Sequence, residues 1–344
     1  MGSEEIKKVS IIIIIYKVER FLEQCIRSVM DQTYSNIEII CVVGKGDAAC
    51  EEICDRLAAE DDRIVVIKEE PKGTAAARNT GLDNVHGDYI GFVDGDDYIE
   101  PDMIEVMVEA ALKNDAEISV VGKYLAYENL VDGETVNKEY ILNTEQAYEM
   151  VLYQDGFFLH IWDKLYKKEI FDGVRFPVGK LVEDRQLATR LIGKANKIVY
   201  NSASKYYFRV SEDSGSRIEE NLRLSLKADY EICEEILKSY AGLKKAVDFF
   251  LIDENMSVLQ NSMIFGTYSR EHDKEYREYI IKNEKNIRLD SHFSRGMHAK
   301  ILMCKYCPSV LNYLTVYRRK KFLNTHISFS TGANWEKTFR KQGM

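Results

Sequence analysis

Gly87-Asp88-Tyr89-Ile90-Gly91-Phe92-Val93-Asp94-Gly95-Asp96-Asp97 decides how this chain is read. Tyr89, Ile90, Phe92 and Val93 favour a strand. A continuous apolar run of this kind is a strand covered on both faces, the situation in a parallel sheet. It ends in three carboxylates on a turn that Gly95 allows to close tightly. Ligands of open α/β sheets bind beyond the carboxyl ends of such strands. An Asp-x-Asp there suits a hard divalent cation shared between few carboxylates and a substrate's phosphates. The competing reading is a solvated acidic turn. Three adjacent acids after a core strand repel one another and call for a counter-charge, which favours the site.

Upstream, strands and helices alternate. Val9-Ser10-Ile11-Ile12-Ile13-Ile14-Ile15-Tyr16 reads as a buried strand. Val18, Phe21, Leu22, Cys25, Ile26, Val29 and Met30 form one helical stripe. Ile37 to Val43 is a second strand, Gly44-Lys45-Gly46-Asp47 a turn, Ala48 to Ala58 a helix and Arg63 to Ile67 a third strand. This spacing predicts βαβ units and a parallel sheet. In Lys72 to Leu82, small alanines surround Arg78, whose guanidinium is suited to gripping phosphate in a forked geometry; an ordinary surface arginine is the alternative.

Downstream, Pro101 reads as the first residue of a helix whose stripe is Met103, Ile104, Val106, Met107, Ala110 and Ala111. Ala116 to Val121 is a strand. Asp132-Gly133 reads as the turn of a hairpin between Tyr124–Val131 and Glu134–Leu142. Asn143 with Gln146 marks a helix start. Glu183-Asp184 opens another helix; the two acids are either capping groups favoured by the helix dipole or a general base facing an acceptor. Ile198–Tyr200 and Tyr206–Val210 read as two short strands. From Ile218 apolar residues fall at helical spacing among charges, so a boundary is placed at Ser214–Ser216. Residues 1–216 then form one domain and 217–344 a mainly helical region.

The bulk numbers bound the function. With 344 residues, 45% hydrophobic and 30% charged, the chain is globular and long enough for a large domain and a smaller one. Lys+Arg 47 against Asp+Glu 56 gives a net charge of −9, which argues against nucleic-acid binding by the whole protein. Beyond Asp290 the only acid is Glu336, among ten basic residues that include Arg318-Arg319-Lys320-Lys321. Beside Ile301, Leu302, Val310, Leu311, Leu314, Val316 and Tyr317, this cluster reads either as a membrane-interface segment or as a helix packed on protein and interrupted at Pro308. The seven cysteines lack zinc spacing, and no leader or membrane-spanning run is read. The expected setting is reducing and cytoplasmic, with the membrane's inner face as the place of any peripheral contact.

These segments together resemble the family 2 glycosyltransferases, from Lys8 to Ser216. The motifs that carry the resemblance are Val9–Tyr16, Ala-Ala-Arg-Asn-Thr-Gly at Ala76–Gly81, Phe92–Asp97, Trp162-Asp163-Lys164-Leu165-Tyr166, Glu183-Asp184, and Tyr206–Arg209 followed by Ser214. The resemblance implies the nucleotide-diphospho-sugar transferase (GT-A) fold: a Rossmann-like, mixed, mainly parallel sheet flanked by helices. It implies that Tyr16 lies against uracil, Arg78 contacts the nucleotide, Asp94 supports ribose and metal, and Asp96 ligates Mn²⁺ or Mg²⁺. Trp162 and Arg209 belong to the implied nucleotide-sugar set. Asp184, with Glu183 beside it, would deprotonate the acceptor hydroxyl, and inversion would turn an α-linked donor into a β-linked product. Donor and acceptor would be a nucleoside-diphosphate sugar, UDP foremost, and a glycan or lipid-linked hydroxyl.

The chain departs from the family at two places. Ile14 and Lys17 stand where Pro and Asn are usual around the first strand's tyrosine. Val42-Val43-Gly44-Lys45-Gly46-Asp47 replaces an Asp-Asp-Gly-Ser whose acids help hold the base. Asp47 could substitute from a shifted turn, and Lys45 could meet phosphate. The lost motif favours a second reading, a nucleotide-sugar-binding subunit with little turnover that serves a partner enzyme. A dinucleotide oxidoreductase is disfavoured because no Gly-x-Gly-x-x-Gly follows the first strand, and no Walker loop is present.

Overall fold

The structure, a computed structural model, describes residues 6–127, 130–133, 136–180, 182–210, 219–264 and 269–326. Glu134, Leu181, the expected boundary at Ser214–Ser216, Ile218, Glu336 with the basic residues after it, and the side chains of Arg319 and Lys320 lie outside what is described. The chain divides into two compact units. The first comprises Met1–Ala126, Val131–Val151 and Asp155–Arg209; the second comprises Tyr127–Leu130, Leu152–Gln154 and Val210–Met344.

The first unit is built on a sheet whose opening strands are β1 (Val9–Ile15), β2 (Ile37–Gly44), β3 (Ile64–Glu69) and β4 (Tyr89–Asp94). They stand in the order β3-β2-β1-β4, all parallel. β1 and β2 are buried along almost their whole length, which is why both are runs of Ile and Val without polar alternation. The crossovers are α1 (Glu19–Met30), α2 (Ala48–Ala58) and α3 (Thr74–Asp83). On α1 the buried residues are Leu22, Cys25, Ile26 and Val29, the centre of the stripe expected from the sequence. Gly81 explains how α3 can lie on the sheet: a Cβ there would come within 2.5 Å of the Ile12 side chain.

Beyond β4 the sheet becomes mixed. β5 (Tyr98–Ile99), α4 (Met103–Asn114), β6 (Ile118–Ala126), β7 (Val131–Gly133), β8 (Glu139–Leu142), α5 (Thr144–Tyr153), β9 (Lys164–Lys167), α6 (Glu183–Lys194) and β10 (Ile198–Arg209) follow. β9 runs antiparallel between β4 and β6, and β10 is parallel to β6. Three sequence expectations are corrected here. Asp132-Gly133 is not a turn but part of β7, paired antiparallel with Tyr124 and Leu125, so the chain reverses before Val131. Ile198–Tyr200 and Tyr206–Val210 are not separate strands; β10 is continuous, and its register shift between Asn201 and Ser204 hides the alternation. Pro101 precedes α4, which begins at Met103, so its fixed φ shapes the approach turn instead of the first helical residue. The Asn143–Gln146 signal is a reciprocal capping box: each side chain accepts from the other's backbone N–H, at 2.9 and 3.0 Å.

The second unit is helical: α7 (Glu219–Ser239), α8 (Lys244–Ile264), α9 (Arg270–Ile287), α10 (Arg295–Tyr306) and α11 (Pro308–His326). Its core gathers Leu226, Ile252, Leu259, Ile280, Ile301 and Leu311. Pro308 is the first residue of α11, where its missing N–H costs nothing, and the break from α10 falls at Cys307. No helix among the described residues is long and apolar enough to cross a membrane.

Candidate active site

The strand order places a switch point between β1 and β4. The chain leaves β1 toward β2 and β3 on one side, then returns to β4 on the other. A crevice must open there at the carboxyl ends. It is a cavity of about 460 Å³, within the range of small-molecule sites. Ile14–Tyr16, Val42 with Gly44, Glu69 with Pro71, Thr74 with Arg78, and Asp94–Asp96 contribute to its lining, one group from each strand end and one from the start of α3.

Arg78 is the pivot. Only 6% exposed, it donates from Nη1 to Glu183 Oε1 at 2.8 Å and from Nη2 to Asp94 Oδ1 at 3.0 Å. Its ring neighbour is Phe176, 5.5 Å from the guanidinium carbon. Burial alone would lower its pKa; the charges of Asp94, Asp184 and Glu183 outweigh that and hold the guanidinium charged. Thr74 Oγ1 also donates to Glu183 Oε1. Glu183 is therefore committed to holding Arg78. Its neighbour Asp184, half-buried, accepts from the Arg185 N–H at 2.8 Å. Burial pushes its carboxyl above the usual range, with Arg78 opposing and Glu183 adding. Val182, with φ 52°, turns the chain into α6 in the left-handed region, which is costly for a β-branched residue.

The acidic turn is tied down from β10. Tyr206 donates to Asp97 Oδ2 at 2.8 Å and accepts from the Asp94 N–H at 3.1 Å, and the Arg209 N–H reaches Asp97 Oδ1 at 2.8 Å. Burial raises the pKa of Asp97 well above the carboxylate range, and the charges of Asp94 and Asp96 raise it further. Burial and then Asp94 raise Asp96. Asp94 and Asp96 thus offer hard oxygen donors to one cavity and are under mutual repulsion, a donor set that fits Mg²⁺ or Mn²⁺.

The remaining expected residues fall into two groups. Tyr16, 52% exposed, lines the cavity. Lys17 follows it at φ 55°, its N–H held by Asp47 at 2.6 Å. Lys45, Asp47, Trp162 and Arg209 do not line the cavity. Lys45 pairs with Glu70 at 3.2 Å, both well exposed. Asp47 caps α2, accepting from the Cys50 N–H. With Glu19 and Cys50 it forms a compact acid–thiol group, but burial pushes the Cys50 thiol up to about 12, so it is a poor ligand. Trp162 is buried, stacked on Tyr206 at 4.3 Å and on His160 at 4.8 Å. Arg209 packs over Phe21 and Tyr98, each 4.7 Å away, and donates to Gln24.

Sequence reasoning missed Asp97, Tyr206, Thr74 and Glu69. Asp97 lies within the acidic turn and Tyr206 within the Tyr206–Arg209 motif, where neither stands out from its neighbours; Thr74 and Glu69 carry no local signal. Lys123 was also missed. It lies 4.1 Å from the Phe158 ring and 5.5 Å from Trp162, its pKa lowered by burial to about 8.

Comparison with known proteins bears on the family and the fold. The family model described as glycosyl transferase family 2 matches residues 10–175. The glycosyltransferase GlyG of Streptococcus pneumoniae serotype 4 is 32% identical over 264 residues, covering 73% of this chain and 84% of GlyG. GlyA of the same organism is 35% identical over 220 residues, 61% of this chain; the match spans only 32% of GlyA. Among solved structures, Staphylococcus aureus TarS 1–349 in complex with UDP-GlcNAc superposes with a TM-score of 0.64 at 16% identity, covering 91% of this chain and 92% of that one. The expected fold is thereby shown: a mixed, mostly parallel GT-A sheet flanked by helices, followed by a helical C-terminal region.

Proposed function

The chain belongs to glycosyl transferase family 2, and on that premise we propose that it is an inverting, metal-dependent enzyme that moves a sugar from a UDP-linked donor to a hydroxyl of a glycan or lipid-linked acceptor. The observation that carries this reading is the Arg78 bridge, which ties the cavity's acidic edge at Asp94 to the carboxylate pair of α6.

In the proposed reaction the acceptor hydroxyl gives its proton to Asp184 while its oxygen bonds to the anomeric carbon. The bond from that carbon to the diphosphate oxygen breaks, and the nucleoside diphosphate leaves with the electron pair. A carboxyl whose pKa is raised by burial is the stronger base. Arg78, fixed by two acids, presents preorganised positive charge on the leaving-group side. Transferases of this family commonly use a divalent cation, which when bound would neutralise the diphosphate; Asp94 and Asp96 are the residues to hold it. Tyr16 at the cavity wall supports a stacked base.

The acceptor side extends the proposal to a peripheral contact with anionic membrane at its inner face. α11 exposes Val310, Tyr313 and Tyr317 together with Arg318 and Lys321. No acid occurs from Ser291 to Trp335. Tyrosines beside lysine and arginine suit the headgroup region.

The test is a thermal-shift and turnover panel of nucleoside-diphosphate sugars with Mn²⁺. UDP-sugars head the panel because TarS holds one. A bound donor raises the melting temperature by mass action, and an active enzyme releases UDP. Because β2 ends in Gly44-Lys45-Gly46 without acids, a donor-binding subunit is the second reading. Donor binding with no hydrolysis or transfer to any acceptor would select it.

A further inference from the structure

We propose that Glu69, at the end of β3, is the base-reading carboxylate of this protein, a task moved one strand over from the end of β2. The inference rests on the cavity being a nucleoside-diphosphate site.

β2 ends at Gly44, and no side chain fits there. A Cβ on Gly44 would lie 2.7 Å from Tyr16 Cδ2, so the tyrosine ring occupies the space a β2 side chain would need. The residue opposite Gly44 in the β2–β3 register is Glu69. Paired residues of neighbouring strands sit about 4.8 Å apart and point to the same face. Gly44 and Glu69 both line the cavity, beside Tyr16 and Pro71. The cavity is therefore bipolar. One end has Arg78 with Asp94 and Asp96; the other has an apolar slot formed by Tyr16, Val42 and Pro71 with a single carboxylate on its wall.

That carboxylate is oriented. Thr80 Oγ1 donates to Glu69 Oε2 at 2.6 Å, which fixes the side chain from α3 and leaves Oε1 to meet a ligand. An ionised carboxylate only accepts hydrogen bonds. The uracil edge presents an N3–H donor, whereas N3 of cytosine is an acceptor and would repel it. The slot accordingly selects uracil over cytosine through Glu69. Lys45 and Asp47, the alternatives in the β2 turn, are taken up by Glu70 and by the α2 cap.

Calorimetric titration with UDP, CDP and pyrophosphate, all with Mn²⁺, tests this on the intact chain. Wild-type protein should prefer UDP to CDP. Glu69→Gln, nearly isosteric, should weaken UDP by about 10- to 100-fold, narrow the UDP/CDP ratio and leave pyrophosphate unchanged. Thr80→Val, which frees the carboxylate without removing it, should weaken UDP by a smaller factor. If E69Q binds UDP as wild type does, or loses pyrophosphate equally, Glu69 does not read the base. Wild-type protein that binds neither UDP nor pyrophosphate removes the parent reading and this one with it.

Discussion

Arg78 and Glu183 are 105 positions apart in the chain and 2.8 Å apart in the fold. That bond joins the middle of α3 to the start of α6, so the strand-end cavity and the proposed base are positioned by one guanidinium.

Arg78→Lys keeps the charge but loses the fork whose two arms separately reach Glu183 and Asp94. Removing a partner from a fully buried ion pair costs about 3–5 kcal/mol. The Asp94 side chain is 24% exposed, so a loss of about 2–3 kcal/mol is expected here. Differential scanning calorimetry should show a fall of roughly 4–12 °C, and UDP affinity should drop with it. An unchanged melting curve would mean the bridge is incidental.

Asp184→Asn retains the size of the side chain but cannot take a proton. Transfer should fall by about 10²–10⁴-fold with donor affinity nearly unchanged. Because burial raises the Asp184 pKa, the active, deprotonated form is lost as pH falls through that raised value. The acid limb of kcat should therefore lie above the ordinary carboxylate range, and in D184N it should vanish. Near-normal turnover would reduce Asp184 to a helix-terminal acid and send the question to Glu183.

Chelation is the third test. Asp94 and Asp96 repel each other in a partly buried turn, and a divalent ion would relieve that repulsion. UDP affinity should fall sharply in EDTA and recover with Mn²⁺. It should also weaken with decreasing pH, since protons and metal compete for the Asp96 carboxylate, whose pKa burial already raises. Equal affinity with and without chelator would rule the metal out.

Lys45→Ala is expected to do little. Its partner is the exposed Glu70, and such pairs contribute about 0.2–1 kcal/mol at most. If UDP and UDP-sugars both weaken while uridine is unaffected, Lys45 leaves Glu70 to grip phosphate.

Liposome co-sedimentation addresses α11. Binding should require anionic lipid, weaken with salt, and fall when Arg318 to Lys321 all become Gln. Protein that stays in the supernatant with anionic vesicles at low salt would make the helix's exposed tyrosines a purely soluble surface.

Local signals were legible in the sequence and long-range choices were not. The buried runs at β1, β2 and β4, the limits of α2 and the Asn143–Gln146 cap depend on neighbouring residues, and they stand where the spacing puts them. Asp132-Gly133 is a favourable turn dipeptide, but Tyr124 and Leu125 claim it as a strand partner. Glu69 looks like the polar end of a strand until Gly44 is seen beside it and Tyr16 above Gly44. Tyr206 and Asp97 meet 109 positions apart, a distance no motif spans.

The stacking of Trp162 on Tyr206 has a practical side. The Tyr206 hydroxyl touches the Asp94 backbone, so a charge arriving at Asp94 changes the field on the indole. The chain has two tryptophans, the other being Trp335. In a Trp335→Phe background, intrinsic fluorescence becomes a label-free optical readout of occupancy at the acidic turn. Cation and nucleotide can then be titrated directly, before any acceptor is known.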